Sequence, residues 1–459
     1  MKDRLEKITY SLGSIGLTGF LQLMSTFLLF FLVDEVHVDP GLASLVFLLS
    51  YGAWNAMNDP VIGHLSDRTR TRWGRRKPFI SIGIPLVLLF SVLIWSPPIG
   101  GEPLSDPYSI SVFLYMLVMV ALYELAFTMV TVPYSAVYPE MWTDTRGRSE
   151  VIVYRESFSV VGGILAMVIL PMMIGYFSES QGPIHGWTWG VGIMATIFAF
   201  SLSLSTIGIK EHREFSTRDK PLSFMESLRT AATNRSWITA EIPCLMTDCM
   251  IDWVSAIVPF FATHSLKMEV GIISLMMGSQ LVGTFGFFAV WRKICMRYGT
   301  KVTMGASMTA FSVGPILGLV VHDALGVATM GLVGGVAIGG LLLARKLMIA
   351  DVIDEDEIRT GVRREGVYMG ICAAMSKFSL VIVSASMAFL LSRTIGYIPG
   401  QPDPEFMDLG IRLGLAVMPI IFTVILLVSL RFYPLGRDRV TAIRKDIEKI
   451  HTKKAEKLK

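Results

Sequence analysis

The stretch Ser111–Tyr134, SVFLYMLVMVALYELAFTMVTVPY, holds one formally charged side chain, Glu124, in 24 residues. As a helix it rises about 36 Å, more than the roughly 30 Å of a bilayer's hydrocarbon core. Working outward from it, segments of the same kind recur at 8–33, 41–63, 78–95, 111–134, 151–176, 187–209, 237–261, 270–290, 302–321, 325–349, 366–391 and 411–430. Overall the chain is 52% hydrophobic and 17% charged, against about 25% charged in soluble proteins. The expectation is an all-α membrane protein with twelve transmembrane helices.

Lys and Arg set the orientation. Alternate loops carry Arg68, Arg70, Arg72, Arg75, Arg76 and Lys77, then Arg146 and Arg148, then a run from Lys210 to Arg235. The same side holds Arg292, Lys293, Arg297, Lys301, Arg359, Arg363, Arg364 and the basic tail, whereas the opposite loops hold Lys267 and Arg393. Both termini are expected in the cytoplasm, with the chain in the cell membrane. The net charge of +4 expresses this asymmetry and gives no nucleic-acid footprint. The tail places Ile443, Ile447 and Ile450 on one face among lysines, so it reads as a helix lying on anionic lipid or as a solvated helix. Cys244, Cys249, Cys295 and Cys372 lie in spans or on the cytoplasmic side and imply no disulfide framework. Catalytic and metal-site motifs are absent, so neither an enzyme nor a cofactor is expected.

The longest polar interruption follows the sixth span. It divides the chain into a six-helix half at 1–209, a cytoplasmic linker at 210–236, a second six-helix half at 237–434 and a tail at 435–459. Such duplication is the organisation of transporters built from parallel repeats. Two internal echoes agree with it. Arg72-Trp73-Gly74-Arg75-Arg76-Lys77 pairs with Arg297-Tyr298-Gly299-Thr300-Lys301, and Thr145–Glu150 with Thr360–Glu365.

Charged side chains inside a span cost about 2.5–3.5 kcal/mol on insertion scales and face a cavity or a partner. Asn55, Asn58 and Asp59 share one helical face, as do Glu124, Thr128 and Thr131. A carboxylate beside amide and hydroxyl oxygens holds a small hard cation or a proton; an interhelical polar clamp is the plain alternative. Asp248 and Asp252, one turn apart, are too close to ionise together cheaply, so one holds a proton or pairs with Lys377 or Arg345. Arg155 can be a snorkelling arginine, whereas Lys377 sits mid-span. Gly331, Gly334, Gly335, Gly339 and Gly340 permit close helix packing.

Gly63-His64-Leu65-Ser66-Asp67-Arg68 with its following Arg cluster resembles the cytoplasmic signature of the major facilitator superfamily. Trp54-Asn55-Ala56-Met57-Asn58-Asp59-Pro60, then Arg72–Pro78, Val132–Ser135, Tyr154-Arg155, Asp351–Asp354, Thr360-Gly361 and Lys377-Phe378 resemble the glycoside–pentoside–hexuronide:cation symporter family within it. The likeness runs from the first span into the tail. In that family's melibiose-carrier branch, two helix-two aspartates and one helix-four aspartate build the cation site. Here Asp59 matches one, while Asn55 and Thr131 stand at the others, and Thr18 stands where a galactoside-contacting aspartate falls. Tyr123-Glu124 and Thr128–Ala136 are similar to the family's lysolipid-transporting branch.

The resemblance implies a cation-coupled symporter working by alternating access as a monomer. Its partners are a small-molecule solute, a proton or sodium ion, and membrane lipid. Asp59, Asn55, Asn58, Thr128 and Thr131 are the expected cation-binding residues, with a proton favoured over sodium because Asp59 stands as a lone carboxylate. Arg155, Lys377, Glu124, Asp252, Asp248 and Thr18 are expected to face the solute. Asp67, Arg68, Arg75, Arg76, Asp354 and Arg363 form an expected conformational clasp on the cytoplasmic side. A sugar or glycoside is the first expectation for the solute, and a lysolipid or other amphiphile the second. A transporter-fold sensor that moves nothing is the reading from a different class.

Overall fold

The computed structural model describes residues 2–98, 106, 108–142, 145–209, 234–269, 271–360, 365–443 and 446–447. Apart from one isolated bridge between Thr71 and Gly74, regular structure among them is helical. In chain order the helices are α1 (Lys2–Ser11), α2 (Gly13–Phe30), α3 (Pro40–Phe47), α4 (Asn55–Arg68), α5 (Lys77–Ile94), α6 (Ile110–Met141), α7 (Thr145–Ile164) and α8 (Leu170–Gln181). There follow α9 (Pro183–Gly208), α10 (Arg235–Phe260), α11 (Ile272–Tyr298), α12 (Thr300–Leu317), α13 (Ala324–Thr360), α14 (Glu365–Ala388) and α15 (Met407–Phe432). Wider π turns extend several of them, at Phe31–Glu35, Leu48–Trp54, Leu165–Ile169, Phe261–Ser265 and Phe389–Ile395.

Among the described residues, ten helical stretches are long and apolar enough to cross a membrane, and they coincide with ten of the expected spans. The remaining two expectations also fall on helices. The span at 41–63 runs through α3, its π turn and α4, where Asn55, Asn58, Asp59 and His64 dilute the apolar run. The span at 302–321 falls on α12, whose 18 residues include Thr300, Thr303, Ser307, Thr309 and Ser312. The expected linker at 210–236 lies outside the described residues apart from its last three positions.

The chain forms two compact units. The first comprises Met1–Lys220, Ser255–Ser274 and Leu380–Ile411. In it α2 packs on α7 and α9, and α5 packs on α6 and α9. Gly16 and Gly19 make the α2–α9 approach possible, because a Cβ at either would strike the backbone or ring of Phe198. Trp95 and Trp187 stack with centroids 5.1 Å apart, and Phe27, Phe30 and Phe31 pack around Trp187. This aromatic core fixes the end of α2 where its π turn begins.

The second unit comprises Pro221–Val254, Leu275–Ser379 and Arg412–Lys459. As the glycine pattern predicts, α13 closes on α11 through Gly331 and Gly335, where a Cβ would run into the Met276 and Gln280 backbones. Buried Arg412 caps the end of α12, donating at 2.7 Å to the carbonyls of Gly318 and Val321, where a helix dipole favours a cation. The tail differs from one expectation. Ile443 and Ile447 are buried, and Arg439 pairs with Glu355 of α13 at 2.6 Å. Its apolar face is therefore spent on protein, not offered to lipid; Ile450 lies outside the described residues.

Candidate polar sites in the two units

In unit 1, α4 and α6 meet through two rungs one helical turn apart. Asn55 Nδ2 donates to Glu124 Oε2 at 2.8 Å, and Thr128 Oγ1 donates to Asp59 Oδ1 at 2.7 Å. The spacing is dictated by sequence: 55 and 59 are i and i+4 on one helix, and 124 and 128 are i and i+4 on the other. The π turn Leu48–Trp54 ends immediately before Asn55, and Pro60 removes the amide that would close the helical bond to Ala56. Irregular winding of this kind gathers at functional positions. Asn55, Asn58, Glu124 and Thr128 are all buried. Neither the oxygen nor the nitrogen of the Asn58 amide has a hydrogen-bond partner.

Glu124 was expected to face the solute. In the structure it accepts from Asn55, in the rung next to that of Asp59 and Thr128. Thr131 is half-buried and makes no side-chain hydrogen bond among the described residues, and the same holds for Thr18 on α2. Arg155 lies over the rings of Tyr134 and Tyr138, at 5.4 and 5.5 Å from their centroids, a cation–π seat. Tyr134 is itself held by a stacked, reciprocally bonded pairing with Tyr10.

In unit 2 the acids of α10 meet a base. Asp248 accepts from Arg345 Nη2 of α13 at 2.8 Å and from Ser376 Oγ of α14 at 2.7 Å, and Arg345 also donates to Ser376. Asp252 accepts from Ser379. About two helical turns before Asp248, buried Glu241 accepts a contact from Cys372 Sγ at 3.6 Å. Glu241, Ser376 and Ser379 escaped the sequence reading. Glu241 could have been found, since positions 241, 248 and 252 share one face of α10; the serines carry no such signal. Lys377 is half-buried on α14, next to Ser376. A groove of about 870 Å³ between α12 and α15, lined by Lys301, Gly305, Thr309, Val313, Leu427 and Arg431, is apolar-walled and includes none of these carboxylates.

Of the expected clasp, Arg76 is buried and donates to the Ala136 carbonyl, while Arg68 is exposed. Arg75 and Asp354 are both half-buried and each engages a partner. The Asp67 side chain and Arg363 lie outside the described residues.

Comparison with known proteins converges on one family. A glucuronide carrier protein homolog of Escherichia coli (strain K12) is 26% identical, over 96% of this chain and 94% of that protein. Sodium-dependent lysophosphatidylcholine symporter 1 of Mus musculus is 23% identical, over 94% of this chain and 86% of that one. In fold, the nucleoside transporter NupG superposes with a TM-score of 0.67 at 12% identity, covering 95% of this chain and 100% of that one. The two rungs, the acids of α10 and the many apolar helices thus sit in a major facilitator fold. With the family model for "MFS/sugar transport protein" matching residues 9–437, the chain belongs to that family, one of membrane transporters and not of enzymes.

Proposed function

We propose that the protein is a cation-coupled symporter for a sugar or glycoside, and that the α4–α6 rungs hold the coupling cation. The observation carrying this is the Asn58 amide, buried with no hydrogen-bond partner for either atom and adjacent in sequence to Asp59. A polar group left so costs about 1–3 kcal/mol. A cation held by Asp59, with the Asn55, Asn58 and Thr128 oxygens and Glu124, supplies what its oxygen lacks. Cation binding neutralises the carboxylates and lowers the cost of closing the protein around them, which couples ion and solute fluxes.

The proton expectation rested on Asp59 standing alone. With Glu124 brought to Asn55, the site offers two carboxylates and neutral oxygens, which suits sodium, so sodium is the ion to test first. Arg345, with Asp248 and Asp252, and Lys377 are proposed to face the solute in unit 2. Arg155, seated on two tyrosines, is proposed to position α7. The protein would act as a monomer in the cell membrane with both termini inside. Reporter fusions after Arg213 and after Pro402 then read cytoplasm and exterior; one compartment for both excludes that topology.

Uptake into proteoliposomes tests the whole reading. Asp59→Asn is expected to abolish gradient-driven accumulation while leaving downhill exchange, and replacing sodium by choline is expected to abolish accumulation by the wild type. Undiminished accumulation by Asp59→Asn overturns the cation site; accumulation driven by a pH gradient in sodium-free buffer assigns the site to a proton. The likeness to the lysophosphatidylcholine symporter over 94% of this chain favours a second reading, an amphiphilic solute. Competition by a lysophospholipid, with none from glycosides, would replace the sugar.

A further inference from the structure

Three helices of unit 1 end in the same way. The π turns Phe31–Glu35, Phe261–Ser265 and Phe389–Ile395 are each followed by a residue with positive φ, His37 (62°), Lys267 (53°) and Gly396 (76°). The next amide then folds back six residues: Val38 to the Leu32 carbonyl, Met268 to Ala262, and Tyr397 to Leu391, at 2.8, 2.9 and 2.9 Å. Asp34, His264 and Arg393 hold the same place in these three caps, three residues before the positive-φ position.

Two of the three meet. His264 Nε2 lies 2.6 Å from Asp34 Oδ1, and His264 Nδ1 lies 2.9 Å from Asp403 Oδ1. The histidine side chain is 12% exposed and that of Asp34 16% exposed. Tyr397 donates to the same Asp34 oxygen at 2.8 Å. Burial, then the Asp34 charge, pushes the Tyr397 hydroxyl well above its ordinary value, so it stays protonated and donates to Asp34. The titratable groups facing His264 are thus Asp34 from the α2 cap, and Tyr397 and Asp403 from the segment after α14. Glu35 follows Asp34 on the α2 cap.

A neutral imidazole has one N–H, and a carboxylate only accepts. With both ring nitrogens against carboxylates, a neutral ring would turn a lone pair towards one of them. The contacts close only when the cluster carries one further proton, whether on the ring or shared with a carboxylate. We propose that Asp34, His264 and Asp403 form a proton-binding site that latches the caps of α2 and α10 and the 397–403 segment together. The proton comes from the side on which these caps open, the exterior in the topology proposed above. Loss of the proton opens the latch, and a fixed cation in its place keeps it shut. The site is separate from the α4–α6 rungs, and it rests on the transporter reading only for the purpose of its motion.

The test is a distance measurement on the full chain in lipid. The four native cysteines are buried, so spin labels go to Glu179→Cys and Gln401→Cys, both at exposed positions of unit 1. Spectra are taken near pH 5.5 and near pH 8.5, either side of an ordinary histidine at about 6.5, without solute or ion gradient. The wild type is expected to shift from one short distance to a mixture with a longer one as pH rises. His264→Arg, whose planar fork bridges carboxylates without titrating, is expected to hold the short distance at both values. His264→Gln is expected to show the longer distance at both.

Identical wild-type distributions at the two pH values overturn the proposal, as does a pH shift that survives in His264→Gln. Should His264→Gln fail to give a monodisperse protein, the wild type against His264→Arg still decides. Asp59→Asn should keep the wild-type pH response, so a failure of the transport reading and a failure of this site are told apart.

Discussion

Each unit carries buried or half-buried acids on its helices, yet the hydrogen bonds they accept differ. In unit 1, Asp59 and Glu124 receive hydrogen bonds from the Thr128 hydroxyl and the Asn55 amide. In unit 2, Asp248 receives a guanidinium from Arg345 at 2.8 Å, with Ser376 bridging the two. A hydroxyl or an amide orients a carboxylate without itself neutralising it. A guanidinium matches it outright, and the pair then becomes a fixed polar surface. The contrast fits the proposal that the α4–α6 rungs take up the cation while the unit 2 cluster presents oriented hydrogen-bonding groups to the solute.

The largest expected effect breaks the unit 2 side. The Asp248 and Arg345 side chains are 16% and 21% exposed, so removing one partner strands the other. Arg345→Gln is expected to cost about 3 kcal/mol of stability, read as a fall in melting temperature in detergent. The double variant Asp248→Asn, Arg345→Gln is expected to recover most of it, because no stranded charge remains. Asp59→Asn should cost less than about 1 kcal/mol, since an amide still accepts from Thr128. A loss for Asp59→Asn as large as for Arg345→Gln would erase the distinction between the two regions.

A smaller effect sharpens the unit 1 side. Sodium at about a hundred times its Kd should stabilise the wild type by about 2.7 kcal/mol. Glu124→Gln should reduce that gain and Asp59→Asn remove it, whereas the unit 2 double variant keeps it. Equal sodium stabilisation in Asp59→Asn would move the ion elsewhere.

Much of this division was legible in the chain. Span lengths and Lys/Arg spacing located the helices, and helical periodicity put Asn55 with Asp59 and Glu124 with Thr128 on shared faces. The like-charge pair Asp248 and Asp252 called for a proton or a base, with Lys377 and Arg345 as the two candidates, and the structure places Arg345 on Asp248. What periodicity cannot supply is the rotation of one helix against another. That Asn55 faces Glu124 is not legible in either helix taken alone. The α2, α10 and α14 caps were equally hidden: Asp34 and His264 are 230 positions apart, and the π turns that aim them leave no composition signal. The tail isoleucines show the same limit, since an apolar face states that it will be buried and not against what.

The smallest expected difference sets two threonines of α6 against each other. Thr128 and Thr131 sit three residues apart, and spacing alone gives them equal claim to the cation. Thr128 is fully buried and donates to Asp59 at 2.7 Å. Thr131 is half-buried with no side-chain hydrogen bond among the described residues. Replacing either by valine keeps the shape and removes only the hydroxyl. Thr128→Val leaves the Asp59 oxygen without its buried donor and removes a ligand oxygen, a loss of about 1.4 kcal/mol, or roughly tenfold in sodium affinity. Thr128→Ser should restore it, because the hydroxyl alone carries the effect. Thr131→Val should stay within about twofold of the wild type, since it breaks no bond to the carboxylates. Sodium titration of melting temperature measures all three variants. Should Thr131→Val weaken sodium as much as Thr128→Val does, the site would extend a further turn along α6, and the two rungs would be only part of it.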